Sequence, residues 1–249
     1  MPTVKLMGIL NVTPDSFSDG GRYSTATLAV RRALEMVNEG ASVIDIGGES
    51  SRPGAKPVAV QTELKRVIPV ITALRRKSRI PISIDTSKPE VAEAALRAGA
   101  TWVNDITGLR HPAMRTIVAR YRSTVVIMHN SRYRDVAQDI RQFFQTQITV
   151  AKKSGIKRKQ IILDPGIGFG KTVQQNVTII RQLHKLKTLG YPILIGASRK
   201  SFIGKLTGAD VDHRLPGTLA AHAVAVKNGA TWLRVHDVAE HKQFFTLLS

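Results

Sequence analysis

The sequence predicts a closed parallel α/β barrel, because eight short apolar segments alternate with amphipathic helical patterns along the whole chain. Each apolar segment is typical of a buried parallel strand, and eight strand–helix units are the number that closes a (β/α)8 TIM barrel. Each segment also ends in polar or small residues, which such a barrel would gather at one mouth, at the C-terminal ends of its strands. An open doubly wound sheet is the alternative, but it would not bring all eight strand ends together.

The eight predicted strands share an apolar run that is followed directly by polar residues or glycine. In chain order they cover residues 5–10, 43–48, 82–86, 102–105, 125–130, 161–165, 193–198 and 232–237. The first strand leads into a long loop of small, hydroxylated, acidic and glycine residues, 11–21. Ordinary connections are shorter, so this loop is typical of a binding loop.

The segments between the strands have helical periodicity and signals for helix ends. Residues 28–40 form an amphipathic pattern that ends in glycine, residues 63–74 form a second, and Ser87 and Pro89 open a third with an N-cap and an early proline. No linker or low-complexity stretch interrupts the pattern, so we expect one domain over residues 1–249. Later helices are predicted near residues 112–120, 135–154, 174–187, 214–228 and 238–248.

Composition narrows the class of protein. The formal net charge is +19, but the basic residues are dispersed along predicted helices and aromatic residues are only 5%. The charge therefore indicates solvated helix faces or a general attraction for anionic ligands, and it argues against a nucleic-acid site. The chain has no cysteine, which excludes disulfides and thiolate metal sites. With no apolar run as long as the ~18 residues of a membrane span, we expect a cytoplasmic protein with no membrane contact.

A glycine-rich segment, 166–172, resembles two nucleotide-binding motifs and fits neither. One residue too few separates its outer glycines for a phosphate-binding P-loop, and Lys171 stands where a dinucleotide fingerprint has its third glycine. The glycines still allow the backbone to come close to a planar ligand bound by Asp164.

Two carboxylates and one basic pair stand out at the predicted strand ends. Asp85 and Asp164 each end an apolar strand, where a buried carboxylate without a partner would be costly. Arg234 and His236 are two residues apart on the eighth strand, so their side chains leave the same face. Because the ends of strands 7 and 8 of such a barrel frequently bind phosphate, this pair is a candidate for an anionic ligand.

Seven motifs now point to a family. In order and spacing they closely resemble dihydropteroate synthase, a folate-pathway enzyme, over about residues 7–237: NVTPDSFSDGG, DIGGESSRPGA, SIDTSKPEVAEAAL, NDITG, LDPGIGFGKT, IGASRKSFIG and RVHDV. That family condenses 6-hydroxymethyl-7,8-dihydropterin diphosphate with p-aminobenzoate, releasing pyrophosphate and forming 7,8-dihydropteroate. The fold of that family is a TIM barrel. Sulfonamide drugs imitate p-aminobenzoate when they bind to these enzymes. The resemblance implies a Mg²⁺-dependent transferase that forms a homodimer.

The resemblance also implies a pterin pocket. A pterin presents a ring N–H beside an exocyclic amine, and a carboxylate can accept from both, so Asp164 is the best candidate for that role. The residues implied for this pocket are Asp85, Asn104, Ile106, Met128, Asp164, Phe169, Gly196 and Lys200.

A diphosphate subsite and a p-aminobenzoate subsite are implied in the same way. The diphosphate residues would be Asn11, Ser51, Arg52, Arg234 and His236, with Asn11 as the Mg²⁺ ligand. The p-aminobenzoate residues would be Phe17, Pro53, Ser198 and Arg199. A helix near Ser198 could direct its backbone amides at the carboxylate of this substrate. For a largely dissociative loss of pyrophosphate, the catalytic residues would be Asn11, Asp19, Arg52, Lys200, Arg234 and His236.

Two other functions stay open at this point. A pterin-binding methyltransferase-like domain would share Asp85, Asn104 and Asp164, but it would not need the segment SRK or the pair in RVH. An inactive pterin-binding paralogue is the non-enzymatic alternative. One departure from the family pattern is Ser51, where threonine is common; the hydroxyl is kept and a methyl group is lost.

Overall fold

The computed structural model describes residues 4–13, 25–49, 57–130 and 136–248. Eight strands are found there: β1 Lys5–Asn11, β2 Val43–Gly47, β3 Ile82–Asp85, β4 Trp102–Asp105, β5 Thr124–Met128, β6 Ile161–Asp164, β7 Leu194–Ile195 and β8 Trp232–Val235. All of them pair in parallel, in the order β6-β5-β4-β3-β2-β1-β8-β7. The predicted strands are thus confirmed, although β7 is shorter than predicted.

The sheet closes on itself between β6 and β7. Leu163 forms a parallel bridge with Ile193, and the amide of Leu163 donates to the carbonyl of Pro192 over 3.0 Å. The sequence's prediction of a (β/α)8 TIM barrel is therefore confirmed. An open doubly wound sheet is excluded, because its two edge strands would not be joined.

Ten helices accompany these strands in the described part of the chain: α1 Thr25–Asn38, α2 Val60–Lys77, α3 Pro89–Arg97, α4 Pro112–Tyr121, α5 Val136–Lys153, α6 Val173–Arg181, α7 His184–Lys187, α8 Ser201–Thr207, α9 Leu215–Lys227 and α10 Val238–Thr246. Helix α3 begins with Pro89, as the sequence predicts, but its N-cap residue is Lys88 and the predicted Ser87 N-cap is wrong. A capping box starts α6, where the Thr172 hydroxyl accepts from the amide of Gln175 over 3.2 Å.

One predicted helix is divided in two. The sequence predicts a continuous helix over 174–187, but the structure breaks it between α6 and α7. Ile180, Leu183 and Leu186 are buried at a spacing of three residues. A tighter turn keeps residues at this spacing on one face, and the amide of Leu186 accordingly bonds the carbonyl of Leu183 over 2.9 Å.

The interior of the barrel has an apolar floor at the N-terminal half of its strands. Trp102 and Trp232 meet edge to face, with ring centroids 4.9 Å apart. The other side chains of this floor are Met7, Val43, Val126, Ile162 and Leu194. Side chains that alternate with them, such as Ile44 and Ile84, lie in the larger core between strands and helices. The strand-end residues Asp85, Asn104 and Asp164 lie toward the opposite end of the barrel, because each occupies the last or next-to-last position of its strand.

No helix among the described residues is both long enough and apolar enough to cross a membrane.

Candidate functional site

Strand pairing brings the predicted site residues to one mouth of the barrel. Across strands β1 to β4, Asn11 pairs with Gly47, Gly47 with Asp85, and Asp85 with Asn104. On β5 and β6, Met128 likewise pairs with Asp164. Because side chains alternate along a strand, residues at the same level of neighbouring strands point into the barrel together.

A buried polar network lies beneath this mouth, and its centre is Arg234. The guanidinium donates from Nε to Asp45 Oδ2 over 2.6 Å and from Nη2 to Asp85 Oδ2 over 2.6 Å. The amide of Asn104 also donates to Asp45 Oδ2, over 3.0 Å. Arg234, which sequence reasoning assigned to the diphosphate, therefore also contacts a residue assigned to the pterin.

Sequence reasoning missed Asp45 as a member of the site. Its carboxylate is fully buried, and it lies two residues before Gly47, on the inward face of β2. The signal was present, since an aspartate inside the apolar run VIDIG needs a cationic partner. The identity of that partner, Arg234, is visible only in the folded barrel.

The electrostatics of the network follow from its burial. Burial raises the pKa of Asp85 to about 7, although the nearby charge of Arg234 opposes the rise. Burial also raises the pKa of Asp164, although the hydrogen bond from the backbone N–H of Gly166 stabilises the charged carboxylate and opposes the rise. For Arg234, burial alone would lower the pKa, but Asp45 and Asp85 outweigh it and raise the pKa, so the guanidinium stays charged.

Asp164 is oriented by the glycine-rich turn that follows β6. Its Oδ1 accepts from the amide of Gly166 over 2.7 Å. The ammonium of Lys171 crosses the turn and donates to the carbonyls of Gly166 over 2.6 Å, Phe169 over 3.0 Å and His129 over 3.3 Å. Burial lowers the pKa of Lys171 to about 7. Sequence reasoning considered this lysine only as part of a failed motif, and it missed the role of the ammonium in holding the turn.

Lys200 and Phe169 form one wall of the mouth. The ammonium of Lys200 lies 4.3 Å from the centroid of the Phe169 ring. Its positive charge opposes the rise in the pKa of both Asp85 and Asp164, which places it near the two carboxylates. Ile106 is half-buried just beyond β4, while Met128 is buried at the end of β5.

Gly168 offers a test of this wall. Its φ is +83°, and an added Cβ would lie 3.1 Å from Lys200 Cδ, whereas Gly208 has a φ of +76° and nothing within 4 Å of an added Cβ. We expect both Gly168→Ala and Gly208→Ala to lower the free energy of unfolding by about 1 kcal/mol, because alanine is strained at positive φ. Only Gly168→Ala should weaken binding of a pterin, by about three- to tenfold, because it displaces Lys200.

Urea unfolding and calorimetry with a pterin analogue measure the two effects. Equal pterin affinities for the Gly168→Ala and Gly208→Ala variants would contradict a role for the Lys200 wall.

Ser198 and His236 meet across β7 and β8. The Ser198 hydroxyl lies 2.9 Å from Nδ1 of His236 and accepts from its backbone amide over 3.2 Å. The neighbouring Arg199 has a left-handed backbone with a φ of +54°, and its guanidinium is ion-paired with Asp237 at 2.5 Å and 3.1 Å. Helix α8 begins at Ser201, so residues 198–200 form a turn that precedes it.

Gly196 lies opposite Arg234. A Cβ added to Gly196 would be 3.7 Å from Arg234 Cβ, so this position keeps open the space beside the guanidinium. The other predicted site residues, Phe17, Asp19, Ser51, Arg52 and Pro53, lie outside the described residues.

Comparisons with known proteins point to one family. The family model described as pterin binding enzyme matches residues 7–236. A dihydropteroate synthase from Synechocystis is 49% identical over 245 residues, which cover 94% of this chain and 85% of that protein.

Solved structures agree as well. Xanthomonas albilineans dihydropteroate synthase with 4-aminobenzoic acid superposes with a TM-score of 0.96 and 46% identity, covering 99% of this chain and 92% of the other. Yersinia pestis dihydropteroate synthase in complex with a sulfonamide drug superposes with a TM-score of 0.93 and 39% identity, covering 99% and 93% of the two chains. With these relatives and the pterin-binding match over residues 7–236, the chain belongs to the dihydropteroate synthase family.

Proposed function

We propose that this chain is a transferase that joins 6-hydroxymethyl-7,8-dihydropterin diphosphate to p-aminobenzoate, giving 7,8-dihydropteroate and pyrophosphate. The observation that supports it most is the gathering of Asp85, Asn104, Asp164 and Lys200 at one barrel mouth, next to Arg234. Carboxylates, an amide and a cation are together the groups that a pterin ring requires.

The pterin would be held chiefly by Asp164. Its Oδ1 already accepts from Gly166, which fixes the plane of the carboxylate, and the ring N–H and exocyclic amine would donate to it. Asn104 Oδ1 is buried and has no hydrogen-bond partner among the described residues, so it is an acceptor for a further ring donor. Ile106, Met128, Phe169 and Gly196 would provide the walls, and Lys200 would donate to ring acceptors.

The diphosphate would lie toward β8 and β1. His236 and Arg234 would donate to its oxygens, together with Ser51 and Arg52, which follow β2 in the sequence. Arg234 is restrained by two carboxylates, so its guanidinium needs no reorganisation as negative charge develops on the leaving group. The aromatic amine is nucleophilic when neutral, so loss of pyrophosphate is the step that needs assistance. Asp19 would act from the first loop.

A Mg²⁺ ion fits the residue types around Asn11. A Cβ added to Gly47 would lie 3.8 Å from both Asn11 Oδ1 and Asp85 Oδ2, so the amide oxygen faces the mouth beside the carboxylate. Within the described ranges, no group of three or more histidine, cysteine, aspartate or glutamate residues could hold a metal. One amide plus substrate phosphates is a donor set that suits Mg²⁺. When bound, the ion would neutralise charge on the leaving pyrophosphate.

Mg²⁺ dependence gives a prediction for Asn11. We expect activity to be lost with a chelator and restored by Mg²⁺, and we expect Asn11→Ala to need about tenfold more Mg²⁺ for half-maximal activity, because an oxygen ligand is missing. Asn38→Ala, at the exposed end of α1, is the control. An unchanged Mg²⁺ requirement in the Asn11 variant would rule out this residue as the ligand.

The second substrate would bind near the turn before α8. Ser198 is positioned by His236, and Arg199 by its ion pair with Asp237, at the side of the mouth nearest β7 and β8. Phe17, which follows β1 in the sequence, and Pro53, which follows β2, would complete this subsite. The p-aminobenzoate carboxylate, and the sulfonyl group of a sulfonamide, would face this turn.

One assay separates the candidate functions. The protein is incubated with dihydropterin diphosphate, p-aminobenzoate and Mg²⁺, and pyrophosphate and dihydropteroate are measured. Product formation supports the synthase. Pterin binding without turnover would support an inactive paralogue, and methyl transfer to an added acceptor would support a methyltransferase-like domain.

We also propose a homodimer. Three exposed large apolar residues, Leu206, Val211 and Val224, lie on α8, α9 and the turn between them, with 54%, 44% and 40% of their surfaces accessible. Exposed apolar side chains on neighbouring elements are typical of an interface between copies of a chain. Light scattering should give twice the chain mass of 27.3 kDa.

Val224→Asp should convert this dimer to a monomer, because the charge would be buried in the interface. Leu247→Asp, at a position 81% exposed beyond α10, should leave it dimeric. A dimer that survives Val224→Asp would contradict this interface.

Two further expectations belong to the same proposal. Since β1 pairs with β8, the first and last strands join one barrel, which supports a single domain over residues 1–249. Small-molecule substrates of folate biosynthesis and the lack of cysteine support a cytoplasmic location, and the dispersed charge argues against nucleic acid as a partner.

A further inference from the structure

One stripe of α9 holds the turn that leads from β7 into α8. The stripe consists of Arg214, the N-cap residue of α9, with Thr218 and His222, which follow it at intervals of four residues and therefore share a face. The amide of Ala197 donates to His222 Nε2 over 3.1 Å, and the amide of Arg199 donates to Thr218 Oγ1 over 3.0 Å. Arg214 donates to the carbonyl of Arg199 over 3.2 Å. These three hydrogen bonds flank Ser198 on both sides.

His222 continues into a second buried histidine. Its Nδ1 lies 2.8 Å from Nε2 of His241 on α10, and Nδ1 of His241 lies 2.6 Å from the backbone carbonyl of Asp237. Both rings are fully buried. A hydrogen-bonded relay thus runs from Ala197 through His222 and His241 to Asp237, the residue that pairs with Arg199.

The two ends of the relay determine the tautomer of each ring. A backbone N–H of Ala197 points at His222 Nε2, so this nitrogen must accept and His222 must have its proton on Nδ1. The carbonyl of Asp237 can only accept, so His241 also has its proton on Nδ1, and its Nε2 accepts from His222. Neither ring can take a second proton without losing a hydrogen bond.

The surroundings agree with two neutral rings. Burial lowers the pKa of His222, and the proximity of His241 lowers it further. Burial also lowers the pKa of His241, although the hydrogen bond to Asp237 and the charges of Asp237 and Glu240 oppose this.

We propose that His222 is a positioning residue for the p-aminobenzoate subsite: its imidazole, held in one tautomer by His241, fixes the turn on which Ser198 lies. Arg199 has a φ of +54°, a left-handed conformation that is uncommon and unfavourable for a residue with a side chain. The α9 stripe holds its backbone in that conformation. This inference rests on the proposed place of Ser198 in the synthase, whereas the relay itself can be measured without any substrate.

The first test is spectroscopic and uses the unmodified protein. Labelled with ¹⁵N in histidine, the protein should show two imidazoles at pH 7 as neutral Nδ1–H tautomers, although free imidazole side chains prefer Nε2–H. His222→Leu should remove one of these signals and assign the other to His241. Detection of either ring as the Nε2–H tautomer, or doubly protonated at pH 7, would overturn the relay whether or not the protein proves to be a synthase.

The second test is kinetic. We expect His222→Leu to raise KM for p-aminobenzoate about tenfold, as for the loss of one buried hydrogen bond, with KM for dihydropterin diphosphate changed less than about twofold. His222→Gln keeps an acceptor and should stay within about threefold of the wild type. His184→Leu, an exposed histidine on α7, is the matched control.

A purely structural role for His222 would give a different pattern. Both KM values would then change equally, or the Gln variant would be as impaired as the Leu variant, and the proposal would be wrong. If His222→Leu does not fold, His241→Phe replaces it, because it keeps an aromatic ring next to Phe245 while it removes the Nε2 acceptor that fixes His222 and the Nδ1–H donor to the Asp237 carbonyl. The same split between the two KM values is expected for that variant.

Discussion

Arg234→Ala is expected to lower the free energy of unfolding by about 3–5 kcal/mol, because it leaves buried carboxylates without their cation. Asp45 is fully buried and Asp85 nearly so, and each accepts a 2.6 Å hydrogen bond from the guanidinium. Urea unfolding measures the loss. The control is Arg31→Ala, since Arg31 is 66% exposed and lies 3.8 Å from Glu35. That variant should change stability by less than about 0.5 kcal/mol.

The loss of stability in Arg234→Ala should also depend on pH. Burial already raises the pKa of Asp85 to about 7, and removal of Arg234 would raise it further. An acid whose pKa is higher in the folded protein than in the unfolded chain favours folding at low pH, and this contribution disappears as pH rises through the folded pKa. The free energy of unfolding that Arg234→Ala loses relative to the wild type should therefore be larger at pH 8 than at pH 5. A loss of stability that is independent of pH would show that the Asp85 carboxyl is not its cause.

Asp164→Asn is expected to weaken binding of a pterin by about 2–4 kcal/mol. The amide oxygen can still accept from the backbone N–H of Gly166, so the turn should persist. The other acceptor becomes an NH₂ group that faces the donors of the ring, and one buried donor is then left without a partner. Calorimetry with a pterin analogue measures the loss.

Two controls separate binding from folding in this case. Asp212→Asn changes an aspartate that is 81% exposed and should leave affinity unchanged. In Asp164→Asn, the loss of unfolding free energy should be smaller than the loss of pterin-binding free energy. If the variant binds a pterin as tightly as the wild type, Asp164 is not the acceptor of the ring donors.

The strand ends could be predicted because each is a local pattern. Asp85 and Asp164 end apolar runs, and the period of two along a strand predicts that Arg234 and His236 share a face. Their roles in binding came from resemblance to a family, since an isolated aspartate at a strand end has several possible uses.

Contacts between distant elements could not be predicted in this way. Arg234 and Asp45 are 189 residues apart in the chain, and His222 meets His241 only because α9 and α10 pack together. Lys171 donates to three backbone carbonyls, but nothing in the sequence distinguishes it from a lysine on the protein surface. Backbone carbonyls are present at every residue, so no side-chain pattern indicates which of them a cation will reach.

The sequence by itself determined the eight strand–helix units, the mouth at which their polar ends meet and the family of the chain. Hydrophobic periodicity and helix caps operate within a few residues, and they specify elements whatever lies far along the chain. Only the tertiary structure decided which buried charges are paired, because closing the barrel brings β8 next to β1 and places Arg234 between Asp45 and Asp85. Burial then makes that pairing obligatory, since a carboxylate removed from water must have a partner or a proton.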